Sequence, residues 1–163
     1  MKTKLISPAV ESLIQEAIYN ELYASNLYKH VANSLQSIGY FGATKHFQEE
    51  SADELTHYQK HVEFLNNRGS VAIIPELPLY TQTVTSLKDA LVLAYGAETA
   101  LSTKYEEWTR ECAKTDFTAY QHLLQFIEIQ QTSIGFYGDM LVRLGLVEGD
   151  MAGTLLIDQE LGE

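Results

Sequence analysis

Apolar side chains recur at alternating spacings of three and four along four long stretches of the chain, the period of one face of an α-helix. The first stripe is Val10, Leu13, Ala17, Glu21, Ala24, Tyr28, Val31 and Leu35. The second is Phe47, Glu50, Glu54, His57, His61 and Phe64. The third is Leu87, Leu91, Ala94, Glu98, Leu101, Tyr105, Trp108 and Cys112. The fourth reads Phe117, Tyr120, Leu124, Ile127, Gln131, Ile134 and Leu141. Caps and breakers set the limits. Ser7 is an N-cap, and Pro8 stands in the first turn, where a missing N–H costs nothing. Gly39 ends that helix, predicted over 8–37. The second helix covers 41–68 and stops at Gly69, a residue suited to the left-handed C′ position. Ser86 caps a third helix reaching to about Lys114. A fourth follows Asp116 and ends at Gly145. A short fifth, over 150–161, carries Leu155, Leu156, Ile157 and Leu161.

The connections predict the topology. Short turns after the first and third helices make antiparallel hairpins. The segment 69–85 is long and holds Pro75 and Pro78, after which the chain has no proline. A helix of about 28 residues spans roughly 42 Å. About 17 extended residues can reach some 55 Å. The segment can therefore return along the whole bundle, leaving the second and third helices parallel. The expected fold is all-α, a four-helix bundle with one long crossover and a short C-terminal fifth helix, in one domain over 1–163. Val71, Ile73, Ile74, Leu77 and Leu79 predict a crossover packed on the bundle.

Charge narrows the partners. Among 163 residues there are 11 Lys+Arg against 22 Asp+Glu, a net charge of −11. That surplus opposes nucleic acid and anionic membranes, both polyanions, and suits cations. Cys112 is the single cysteine, so no intrachain disulfide forms. No apolar run is long enough to span a bilayer, and the N-terminus lacks a secretory apolar stretch. A cytoplasmic protein is expected.

The polar residues on the apolar stripes carry the chemistry. Glu21 and Glu98 each sit mid-stripe, and each is followed seven residues later by a tyrosine, Tyr28 or Tyr105. Glu21 to Glu54 and Glu98 to Gln131 are both 33 residues. This is the signature of repeated hairpins, which bring the four positions to one level. A buried, unpaired carboxylate is costly, and no Lys or Arg lies on these stripes. A metal ion is the cheapest counter-charge. Glu54 and His57 form a Glu-x-x-His pair on one helical face. With a glutamate from each hairpin's first helix, this is the donor set of di-metal carboxylate bundles, suited to iron or manganese and tolerant of zinc. Taken singly, each feature has a plainer reading. A mid-helix glutamate is usually exposed, His57 or His61 can be a partly buried histidine, and Tyr28 or Tyr105 can be core aromatics. The joint pattern favours the metal.

Asn20 to Tyr28, Glu50 to His57, Asn66 to Gly69 and Leu155 to Leu161 resemble the helix motifs of the non-haem ferritins, and the similarity runs over about 10–161. The resemblance implies a ferroxidase, an Fe(II):oxygen oxidoreductase with two iron sites inside each bundle. Glu21, Glu54 and His57 would hold the first iron, with Glu54 bridging. Glu98 would hold the second, Gln131 would hydrogen-bond a bound water or dioxygen species, and Tyr28 would orient a carboxylate or supply an electron. Two Fe(II) ions and dioxygen or peroxide would yield a diferric product and then a stored ferric mineral. It also implies a homo-oligomeric cage of 24 subunits. Departures adjust these expectations. Ile134 and Ser133 stand where many bacterial ferritins carry carboxylates, so a third inner site from them is not expected, although Glu50 and Asp53 could hold an iron in transit. Ile134 in place of a histidine and Leu55 in place of a haem-binding methionine predict no haem. Gln121 and Leu124 replace the carboxylates of the three-fold channel. The competing readings are a rubrerythrin-like di-metal oxidase or peroxidase, and a metal-free structural bundle.

Overall fold

Each helix starts where a side chain can take up its free N–H groups. The computed structural model describes residues 3–163. Its elements are α1 (Pro8–Ser37), α2 (Phe41–Asn67), α3 (Leu87–Thr115), α4 (Phe117–Leu146) and α5 (Met151–Leu161). Ser7 Oγ accepts from Val10 N, Ser86 Oγ from Asp89 N, Asp116 Oδ1 from Ala119 N and Asp150 Oδ1 from Ala152 N. The N-terminus of α2 has no such local cap. Asp158 of α5 supplies it instead, accepting from Ala43 N at 2.7 Å and Gly42 N at 3.2 Å. Gly42 is needed there, because a Cβ would collide with the Asp158 carbonyl. Gly39 (φ +90°) and Gly69 (φ +76°) turn the chain at the ends of α1 and α2.

The core falls into two apolar clusters. One joins the end of α1 (Tyr28, Val31, Leu35), the start of α2 (Ala43, Phe47), the start of α3 (Leu87, Leu91, Ala94), the end of α4 (Tyr137, Met140, Leu144) and α5. The other joins the start of α1 (Val10, Ile14, Ile18) to Leu65, the end of α3 (Leu101, Tyr105, Trp108, Cys112) and the start of α4 (Ala119, Leu123, Phe126). These memberships fix the directions: α1–α2 and α3–α4 are antiparallel hairpins, and α2 and α3 both start at the α5 end. The long crossover is therefore present, as the chain's spacing predicts. Between the clusters lies a polar layer of buried Glu21, Ser25, Ser51, Glu54, Glu98, Ser102 and Gln130.

Two expectations are corrected. The buried stripe of α4 is Ala119, Leu123, Phe126, Gln130, Tyr137, Met140 and Leu144, not the one beginning at Phe117. Apolar residues occupy both faces of α4, so periodicity alone fits either register. Phe117, Leu124, Val142 and Leu146 are exposed. The crossover is also less embedded than its composition suggests. Val71, Ile73, Ile74 and Leu79 are exposed. Hydrogen bonds hold it down instead: Ile73 to the Gln15 amide, Tyr80 Oη to Tyr23 O, and Gln82 O to His30 Nε2.

Candidate metal centre

Three side chains from two helices converge in the polar layer. Glu21 comes from mid-α1, and Glu54 and His57 from one turn of α2. Donor atoms from all three lie within 4.8 Å of one another. His57 Nδ1 is 2.9 Å from Glu54 Oε2 and 3.7 Å from Glu21 Oε2. Glu98, mid-α3, is equally buried and carries the fourth carboxylate of the layer, outside this tight group.

Two tyrosines support the carboxylates in a reciprocal way. Tyr28, on the helix of Glu21, donates to Glu98 Oε1. Tyr105, on the helix of Glu98, donates to Glu21 Oε1. The repeated spacing of seven thus becomes a pair of cross-helix hydrogen bonds, each hairpin bracing the other's glutamate. Each carboxylate keeps its second oxygen bare: Glu21 Oε2 and Glu98 Oε2 are buried without a hydrogen-bond partner. Such acceptors are costly unless a donor or a cation meets them. Among the described residues, no Lys or Arg pairs with Glu21, Glu54 or Glu98. The anionic donor set with one imidazole fits a hard or borderline divalent cation such as iron.

The electrostatics agree. Burial, helped by the charge of Glu21, pushes the Glu54 carboxyl up to about 8. Burial and the charge of Glu54 raise Glu98 to about 8, against the opposing hydrogen bond from Tyr28. Burial draws His57 down, but hydrogen bonds and charge from Glu21 and Glu54 outweigh it and raise the imidazole to about 10. Crowded carboxylates hold protons when no cation is present.

Several neighbours extend the centre. His61 is fully buried and places Nε2 2.8 Å from Tyr105 Oη. Its Nδ1 is 2.9 Å from His122 Nε2, and His122 stacks on Phe64. Glu21, Tyr105, His61 and His122 are therefore one hydrogen-bonded row leading from the centre to a partly exposed ring. Burial draws both imidazoles down to about 3, so both are neutral donor–acceptors. On the other side, Tyr137 Oη donates to Glu50 Oε2 at 3.3 Å and lies 3.1 Å from His46 Nε2. His61 stands on the second stripe one turn after His57, but its partner His122 belongs to the α4 face that periodicity misses.

Gln131 falls beside the buried stripe of α4, yet its amide reaches Ser102 of the polar layer. It is exposed, with Nε2 3.3 Å from Ser102 Oγ. The preceding Gln130 is the buried amide, one turn beyond Phe126, whose ring meets that of His57 at 5.6 Å. Gln130 Oε1 has no hydrogen-bond partner.

The chain as a whole is similar to known proteins. The ferritin-like domain family matches residues 11–147. A probable bacterial non-heme ferritin-like protein of Haemophilus influenzae is 27% identical over 159 residues, covering 97% of this chain and 96% of its own. A bacterial non-heme ferritin of Escherichia coli is 21% identical over 158 residues, covering 96% of each chain. An open pore ferritin from the archaeon Archaeoglobus fulgidus superposes with a TM-score of 0.93 at 23% identity, covering 98% of both chains, which is a likeness of fold.

Proposed function

The chain belongs to the ferritin-like domain family, and from that premise we propose that it is a non-haem iron-storage ferritin that oxidises Fe(II) at a di-iron centre within each subunit. The observation that carries the reading is the buried group Glu21, Glu54 and His57, whose donor atoms lie within 4.8 Å and whose carboxylates pair with no Lys or Arg among the described residues. Fe(II) is the substrate. Glu21, Glu54 and His57 bind the first ion. Glu98 binds the second, with Glu54 between them and the bare Oε2 atoms of Glu21 and Glu98 as ready donors. Each ion yields one electron, so the pair matches an acceptor of two, dioxygen or peroxide. Anionic oxygen donors favour the ferric product, which moves on to a stored mineral. Tyr105 and Tyr28 hold the two outer carboxylates in orientation, and Gln130 takes the place that the sequence pattern gives to Gln131.

A homo-oligomeric cage is part of the proposal. Val71, Ile73, Ile74 and Leu79 on the crossover and Leu146, Leu155 and Leu156 around α5 are large apolar side chains exposed on the single chain, as surfaces between subunits are. Among the described residues, no helix is long and apolar enough to cross a membrane. We infer a cytoplasmic store that binds no haem. Size-exclusion mass and anaerobic Fe(II) titration on one sample test the reading. A particle of several hundred kilodaltons that binds two Fe(II) per chain is expected. A small oligomer, or a chain that binds none, would overturn it.

A further inference from the structure

A narrow cleft between α1 and α3 reaches Glu98, on one side of the centre. Its walls are mainly the alkyl groups of Ala24, Leu27, Ala97, Ala100 and Leu101, with the partly exposed Asn20 and Tyr23 beside them, and its floor is Tyr28 and Glu98, the least exposed residues of the lining. The cavity measures about 120 Å³, well above the roughly 10–15 Å³ that one water requires. Here Ala24, Ala97 and Ala100 leave the space empty.

The chemistry of the cleft is unlike that of a cation path. Lys104 is its one positive group, and it lies on the exposed side. No carboxylate other than Glu98 lines it. The opposite, α2–α4 side differs: its cavity of about 480 Å³ is lined by Glu49, Glu50, Glu160 and Glu163, with Arg143 and His46. The second surface offers a divalent cation several carboxylates, whereas the first offers only the buried Glu98 behind Lys104. A small neutral molecule is indifferent to Lys104 and is favoured by alkyl walls. We propose that the α1–α3 cleft is the port by which dioxygen reaches the Glu98 side of the centre.

This inference rests on the ferroxidase reading, and its test separates the two. Ala97→Leu and Ala100→Leu fill the cleft from α3 without touching a ligand. With assembled protein, each should raise the KM for dioxygen about tenfold while the rate at saturating dioxygen stays within about twofold. Anaerobic Fe(II) binding should not change. Xenon under pressure should occupy the cleft in crystals of the parent protein and be absent in Ala97→Leu, a readout independent of activity. An unchanged KM in both variants beside an intact rapid phase would overturn the port alone, as would a cleft empty of xenon. Lys104→Glu should leave the KM for dioxygen unchanged, and faster Fe(II) binding in that variant would make the cleft a cation path. Absence of rapid oxidation in the parent protein at every oxygen pressure would remove the ferroxidase reading and the port with it.

Discussion

The two halves of the centre share a plan and differ in how firmly they are held. On the Glu21 side, the carboxylate meets Glu54 and His57 within 4.8 Å, and its tyrosine is itself fixed by His61 and His122. On the Glu98 side, Tyr28 is the one donor to the carboxylate among the described residues. That tyrosine packs against Phe47 at 5.6 Å between ring centres, and the alkyl cleft opens beside it. The same spacing of seven residues built both halves, yet one became a braced, crowded site and the other a sparer one, equally buried, beside a cleft. A first cation should bind tightly on the braced side. The second should bind more weakly, where the oxidant arrives.

Removing a carboxylate from the braced side tests the contrast most severely. Glu21→Ala or Glu54→Ala should slow rapid oxidation about a hundredfold or more while leaving the assembled particle intact. Stopped-flow absorbance with size-exclusion mass reads both. Glu98→Ala should spare tight binding of one Fe(II) per chain and abolish the second, in an anaerobic titration.

The tyrosines sharpen the comparison at smaller magnitude. Tyr105→Phe removes a donor from Glu21 without changing shape, so affinity for the first iron should fall about tenfold. Tyr28→Phe should leave that affinity within about twofold and weaken the second iron instead. Equal effects on both ions from either variant would mean that the two halves are not distinct.

pH gives a third contrast, in metal-free protein. Glu54 and Glu98 are raised from 4.5 to about 8, so the folded chain holds protons that the unfolded chain releases between those values. Stability therefore falls as pH rises across that window. His57, raised from 6.5 to about 10, contributes stability in full below 6.5 and loses it on the way to 10. Between 6.5 and 8 all three act in one direction. The buried neutral His46, His61 and His122 lose stability only as pH falls below 6.5. The Tm of metal-free protein should therefore decline from pH 6.5 to 8, and Zn(II) at saturation should flatten the decline. A Tm that rises over this range would contradict the crowded-carboxylate account. The smallest effect is expected on α4: Gln130→Leu should lower the oxidation rate about fivefold, and Gln131→Ala by less than about twofold.

The sequence made the bundle readable because its caps are local. Ser7, Ser86 and Asp116 bond N–H groups three residues on, and Gly39 and Gly69 mark their helix ends without reference to the rest of the molecule. The carboxylates on α1, α2 and α3 were equally legible, since a glutamate amid alanines and leucines stands out. The α4 register was not, because Leu123 and Leu124, or Phe126 and Ile127, serve either face equally well. Only packing against His57 and Tyr105 selects Phe126. That one-residue ambiguity hid Gln130 and His122 together. The Asp158 cap on α2 was hidden for another reason: it joins residues more than a hundred positions apart.

The central claim is that the polar layer oxidises Fe(II) in pairs. The direct test is stopped-flow oxidation at increasing Fe(II) per chain, after anaerobic loading and mixing with dioxygen. The account predicts a rapid phase whose amplitude saturates at two Fe(II) per chain and vanishes in Glu54→Ala. A rapid phase that does not saturate, or that persists in Glu54→Ala, would contradict it.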